Sequence, residues 1–214
     1  MVNITLDTGS IQLDELKEAF KQYENLIFDL DDTVFSEEVF DYHAFKSIAL
    51  RFYLMSDNDA DLYSKNGIIE KRKSRTNLFN RISPVSNLSN IELIVDYYQN
   101  FKCGDILKVY SISSILKEMH MKGKKIYVVS NGHPIRQNNK IENLGINKYL
   151  TKAYICHPLT ENKLKPSGDV LDKIGIVRGS KKSLIIGDNE EIDGGFAKSR
   201  LLDFYLFRFP KIEF

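Results

Sequence analysis

The chemistry in this sequence is concentrated where apolar runs stop. Leu26-Ile27-Phe28 gives way to Asp29, Asp31, Asp32 and Thr33, three carboxylates and a hydroxyl in close succession. Carboxylates this near repel one another unless a cation or a shared proton intervenes. A hard divalent ion with oxygen ligands, magnesium above all, is the natural counter-charge. Leu184-Ile185-Ile186-Gly187 ends in the same way at Asp188, with Asp193 on the following turn. A third run, Ile126-Tyr127-Val128-Val129, stops at Ser130-Asn131-Gly132, where a hydroxyl and neighbouring backbone N–H groups suit an anionic oxygen. Lys165, fixed by Pro166 after it, adds a cation. Each has an ordinary reading too: Asp188 is as readily a helix cap or turn former, Ser130 a plain strand-end residue, Lys165 a solvated lysine. Their conjunction, in chain order and at strand ends, is what points to a site.

A scaffold must bring these ends together. Apolar runs at residues 26–28, 126–129, 153–156, 184–186 and 204–207 alternate with helical stretches, the βα pattern of a parallel sheet covered on both faces. The expected fold class is therefore α/β, a doubly wound, Rossmann-like parallel sheet. In such a sheet ligands bind beyond the carboxyl ends of the strands. Leu13, Leu16, Phe20 and Tyr23 form a helical stripe ahead of the first strand. A helix over about residues 105–122 is expected to stop at Gly123, and a later one to open at Pro134 and close at Gly145.

Between the first two strands the β-like runs vanish. Val39, Phe40, Phe45, Ile48, Phe52 and Met55, then Ile91, Ile94, Val95 and Tyr98, recur at helical spacing. Residues 36–102 thus read as a helical cap inserted into a catalytic core made of residues 1–35 and 103–214. The hinges are expected near residues 34–37 and 102–106, and cap closure would exclude water and select substrate.

Composition excludes several classes. The 214 residues carry 30 basic against 29 acidic side chains, a net charge of +1, which argues against a nucleic-acid polymer as partner. Two distant cysteines, Cys103 and Cys156, exclude a disulfide framework or a Cys-rich zinc site and read as small buried apolar groups. No apolar run approaches the ~18 residues of a membrane span, and residues 1–7 lack the features of a signal peptide. A cytoplasmic protein without a membrane partner, monomeric or homodimeric, is expected.

With these motifs in hand, the sequence resembles the haloacid dehalogenase (HAD) superfamily of aspartate-dependent phosphohydrolases. Asp29-Leu30-Asp31-Asp32-Thr33 matches its first motif, Ser130 its second, Lys165 before Pro166 its third, and Gly187-Asp188 with Asp193 its fourth. Ser130-Asn131-Gly132, followed by Gln137, Lys140, Leu144-Gly145-Ile146 and Tyr149-Leu150, is similar to the branch with a helical cap (C1) after the first motif. After Lys165 the chain reads Pro166-Ser167-Gly168, where relatives often have Pro-x-Pro.

The resemblance implies roles. Asp29 would be the nucleophile and Asp31 the general acid and base. Thr33 would position the loop, Ser130 and the Asn131 backbone would hold phosphoryl oxygens, and Lys165 would offset the charge between Asp29 and the phosphate. Asp29, the Asp31 carbonyl and Asp188 would hold Mg2+, with Asp193 as ligand or supporting partner. Asp32 is better read as a cap. True dehalogenases lack an acid at the Asp31 position, because halide needs no proton to leave.

The expected function is a magnesium-dependent phosphomonoesterase acting on a small phosphorylated metabolite such as a nucleotide or sugar phosphate. The alternatives are a phosphotransferase or mutase of the same superfamily, or a non-catalytic phosphate-binding regulatory module. His133 is read as a solvated neighbour of the crevice. The run Lys71-Arg72-Lys73 with Arg75 is read as a solvated helix face, or else as positive potential over an anionic substrate.

Overall fold

The five expected strands all form, the inner ones because a sheet buries their apolar runs on both faces, while the last, at the sheet edge, is only half-buried. The computed structural model describes residues 10–84 and 88–213. Its elements run α1 (Ser10–Phe20), β1 (Asn25–Phe28), α2 (Glu37–Phe52), α3 (Asp57–Lys73), α4 (Leu78–Ile82) and α5 (Leu88–Asn100). Then follow α6 (Ile106–Val109), α7 (Ser113–Met121), β2 (Lys125–Asn131), α8 (Pro134–Leu144), β3 (Lys152–Cys156) and α9 (Asp169–Ile174). The last are β4 (Ser183–Gly187), α10 (Gly195–Ser199) and β5 (Asp203–Leu206).

The sheet is parallel throughout, in the order β3-β2-β1-β4-β5, a doubly wound α/β arrangement. Phe28 stands opposite Val128 on one side and Ile186 on the other, so β1, β2 and β4 deliver their following residues to one edge. Successive side chains face opposite ways. Leu26, Phe28, Val128 and Ile186 join one buried cluster, and Ile27, Tyr127, Val129 and Ile185 the other. The stripe of α1 is buried at Leu16, Phe20 and Tyr23, while the Leu13 side chain lies outside the described residues. Cys156 is buried, but Cys103 is only partly so.

One expected helix is two. Residues 105–122 break between α6 and α7, because residues 110–112 pair with the chain leaving the first motif. Ser36 donates its backbone N–H to the Tyr110 carbonyl and Ile112 donates to Val34. Tertiary hydrogen bonds here override local helix preference. The expected ends at Gly123, Pro134 and Gly145 are all present, with Gly123 and Gly145 left-handed.

Helices α2 to α5 lie between β1 and β2 in the chain. The Ser36 hydroxyl accepts from the Val39 N–H at the start of α2, where Glu37 and Glu38 also complement the helix dipole. α3 packs closely on α2 at Gly67, where a Cβ would lie 2.6 Å from the Phe45 ring. Tyr98 on α5 anchors an aromatic cluster, stacked on Phe45 at 5.9 Å and edge-on to Phe40 and Phe79.

Past β5 the chain returns across the molecule. Arg208 Nε donates to the Asp188 carbonyl, and the Phe209 N–H to the Asp32 carbonyl at 3.0 Å. The Ile212 N–H then donates to Glu38 Oε2 at 2.8 Å, and Arg72 on α3 donates to the Ile212 carbonyl at 2.8 Å. Among the described residues, no helix is long and apolar enough to cross a membrane.

Candidate active site

The sheet edge gathers the expected residues into one cleft of about 340 Å³. Its walls include Asp29, Asp31, Asn131, Lys165, Asp188 and Asp193, joined by Asp32, Arg75, Asn189 and Ile192. Thr33 and Ser130 do not line it. Both are buried beside it, and the Thr33 hydroxyl has no hydrogen-bond partner among the described residues.

Three carboxylates, Asp29, Asp188 and Asp193, each place an oxygen within 4.8 Å of the others. Lys165, 5% exposed, reaches into them, its Nζ donating to Asp29 Oδ1 and Asp193 Oδ1 at 2.5 Å each. The Asn131 side chain holds Lys165 in place by gripping its backbone: Oδ1 accepts from the Lys165 N–H at 2.8 Å and Nδ2 donates to its carbonyl at 3.1 Å. Asp193 comes close because Gly187 has no side chain; a Cβ there would lie 2.4 Å from the Asp193 carboxyl. Asn189 shapes the π-helical turn Glu190–Gly194 that carries Asp193, accepting from the N–H groups of Glu191 and Ile192 at 3.0 Å.

Burial governs the electrostatics. It pushes the Asp29 carboxyl up to about 7, with Lys165 opposing and Asp193 and Asp31 assisting. Burial also raises Asp188 to about 6, with Asp193 adding to the effect. Burial likewise works against the charge on Lys165, but the carboxylates of Asp29 and Asp193 outweigh it and hold the ammonium well above the ordinary lysine range. The cluster is short of positive charge. A divalent cation with oxygen ligands fits this donor set, because carboxylates this crowded resist ionising together without one.

Asp31 stands apart from that cluster. Lys140 Nζ donates to its Oδ1 at 2.6 Å and Gln137 Nε2 to its Oδ2 at 2.7 Å. The same Gln137 amide donates to Ser130 Oγ at 2.8 Å, linking the first two motifs. Lys140 is fully buried, reaches Glu37 Oε1 at 3.5 Å and lies over the Phe40 ring at 4.9 Å. Burial opposes ionisation of Glu37, yet Lys71, Lys140 and Arg75 together hold its carboxyl well below the usual range. Asp32 does act as a cap, accepting the Glu37 N–H at 2.8 Å; burial, with Glu37 adding, raises its carboxyl to about 8.

Sequence reasoning assigned no role to Gln137, Lys140 or Glu37. A signal was present: Gln137, Lys140, Ile141 and Leu144 share one face of α8 at helical spacing, so two polar residues sit on a buried stripe. The basic run of α3 is likewise not one solvated face. Lys71 is half-buried and bonded to Asp41 and Glu37, Arg72 pairs with Glu38, and Arg75 donates to Glu37 at the cleft wall. His133 is half-buried, its ring 5.4 Å from that of His157.

A family model described as haloacid dehalogenase-like hydrolase matches residues 26–200. Solved structures match as well. A hydrolase from Streptococcus pneumoniae is 20% identical over 87% of this chain and 93% of that one, with a TM-score of 0.58. The HAD-hydrolase YfnB from Bacillus subtilis, solved bound to magnesium, is 17% identical over 86% of each chain, with a TM-score of 0.60. The L-2-haloacid dehalogenase of Xanthobacter autotrophicus is 13% identical over 85% of this chain and 76% of its own, with a TM-score of 0.55. At these identities the likeness is one of fold. No curated protein matches the sequence.

Proposed function

Since the chain belongs to the haloacid dehalogenase-like hydrolases, we propose that it is a magnesium-dependent phosphomonoesterase acting on a small phosphorylated metabolite. The observation that carries this reading is Asp31, an acid two residues beyond Asp29 on the wall of the same cleft. A phosphate ester leaves as an alkoxide and needs a proton, whereas a halide does not.

In this reading Asp29 attacks phosphorus in line, and the bond to the ester oxygen breaks as the aspartyl-phosphate forms. The leaving oxygen takes a proton from Asp31. Asp31 then removes a proton from the water that attacks the aspartyl-phosphate, releasing phosphate and restoring both carboxyls. Lys165 offsets charge between Asp29 and the incoming phosphate. The Asn131 N–H holds a phosphoryl oxygen, while Ser130 and Thr33, buried beside the cleft, support its wall. Lys140 and Gln137 each donate to one oxygen of Asp31 and so orient it, leaving a lone pair on each oxygen for the transferred proton. Asp29, the Asp31 carbonyl, Asp188 and Asp193 would hold Mg2+, which supplies positive charge to the phosphoryl oxygens. Helices α2 to α5 form the cap, moving on the chain near residues 34–37 and 102–106.

The deciding assay measures phosphate release from a panel of phosphorylated metabolites, and chloride release from 2-chloropropionate, each with Mg2+. Phosphate release without chloride release is expected, and the reverse would defeat the reading. A second expectation concerns pH. The carboxyls of Asp29 and Asp188 are raised, so the fold holds their protons more tightly than the unfolded chain does. Their contribution to stability is therefore greatest below about pH 4 and is lost as pH rises through about 6 and 7. Mg2+ replaces those protons as counter-charge. At a fixed concentration about a hundred times its dissociation constant at pH 8, it should raise Tm by roughly 5–10 °C at pH 8 and by much less at pH 5, where protons compete for the same carboxylates. Equal increments in a thermal melt at both pH values would contradict the assignment of these carboxylates to the metal.

A further inference from the structure

A second cavity, of about 400 Å³, adjoins the reaction cleft, and Arg75 lines both. Its walls come from α3, α4, α5 and α8 and from the link after α3. Three of the side chains lining it are cations, Lys71, Arg75 and Arg136, and among the described residues none is a carboxylate. Lys71 and Arg75 are already neutralised by Glu37 and Asp41. Arg136 is not.

Arg136 is half-buried, and its guanidinium lies 5.2 Å from the centroid of the Tyr98 ring. Its Nε is buried without a hydrogen-bond partner, and no carboxylate pairs with it among the described residues. Leaving a charged donor buried and unmatched is costly. The Tyr98 ring attracts the guanidinium but satisfies none of its N–H groups. The planar fork matches a carboxylate or phosphate through two parallel hydrogen bonds. A neutral leaving group, such as a nucleoside or an unmodified sugar, would fill the volume and leave Arg136 unmatched.

We propose that this cavity is a leaving-group subsite that selects phosphomonoesters carrying a second anionic group, a carboxylate or a second phosphate, seated on Arg136. The proposal rests on the phosphomonoesterase reading of the adjoining cleft. The reacting phosphate lies at Asp29 and Lys165, the second anion lies at Arg136, and Arg75 stands between the two cavities. Nucleoside monophosphates are then poor substrates, whereas bisphosphates and phosphorylated carboxylic acids are good ones.

Binding tests this without turnover. Three phosphonates of similar size are titrated by calorimetry into the full chain with Mg2+: propylphosphonate, 3-phosphonopropionate and 1,3-propanebisphosphonate. The two with a second anion are expected to bind about 10- to 100-fold more tightly than propylphosphonate, the range for a charge-assisted pair. Whichever of them binds better identifies the second anion as carboxylate or phosphate. Arg136→Gln should bring the three affinities within about threefold of one another, and Arg136→Lys, which keeps the charge but loses the fork, should retain part of the preference. Equal affinities in the wild type, a preference that survives Arg136→Gln, or no binding of any phosphonate would each overturn the subsite. If the preference is present but no phosphate ester is hydrolysed, the phosphomonoesterase reading fails while the anion subsite stands.

Discussion

Asp29→Asn is expected to remove magnesium-dependent hydrolysis of an aryl phosphate, lowering kcat by about four to six orders of magnitude. The amide keeps the shape of the side chain and an oxygen that can still accept from Lys165, whose Nζ lies 2.5 Å from Asp29 Oδ1. It cannot form the aspartyl-phosphate. It also withdraws one negative charge from a crowded set that includes Asp188 and Asp193, so the fold should be kept, with Tm within a few degrees of wild type. Circular dichroism and a phosphate-release assay on one preparation separate the two effects. Activity within tenfold of wild type would show that another group attacks phosphorus.

Lys165→Met should act on stability as well as rate. Methionine preserves most of the apolar stem, so the loss is mainly one of charge. The ammonium bridges Asp29 and Asp193 with almost no exposure to water. Removing one partner from such an arrangement costs about 3–5 kcal/mol, or roughly 6–20 °C in Tm for a chain of this size, when measured at pH 8 with a chelator. Acidification to pH 5 should recover part of that loss, because Asp29 and Asp188 then take up protons. Mg2+ should recover part of it at pH 8. The rate should fall about a hundred- to a thousandfold, the range for losing one group that stabilises developing charge. A melt unchanged by the substitution at pH 8 would mean that the carboxylates do not depend on Lys165.

The strands and their ends were legible because burial on both faces demands continuous apolar runs, and the chemistry begins where those runs stop. Asp29, Asp188 and the strand-end pair of Ser130 and Asn131 could be placed on that ground alone. Asp193, on the turn after a strand, and Lys165, before a proline, stood out in the sequence as well, but only the family resemblance gave them roles. What could not be read was how polar groups meet inside. Lys140 looks like any helical lysine until α8 packs its face against Asp31 and Glu37. The side chain of Asn131 does its work on the backbone of a residue 34 positions away. The break between α6 and α7 arises from pairing with residues 34–36, a contact distant in sequence that no local pattern encodes.

The returning chain beyond β5 carries a mechanical consequence. It is anchored to the carbonyls of Asp32 and Asp188, one behind each of two catalytic motifs, and then to Glu38 and Arg72 on the inserted helices. A tether fixed at both ends limits stroke. If the inserted helices move as the proposed cap, the few residues between Phe209 and Ile212 limit how far they travel before those bonds break. The same strand of chain transmits load: a pull from the helices arrives at the backbone of Asp32 and Asp188, where the first and fourth motifs are set. On the proposed reading of α2 to α5 as a moving cap, its opening would be felt at the backbone of both motifs.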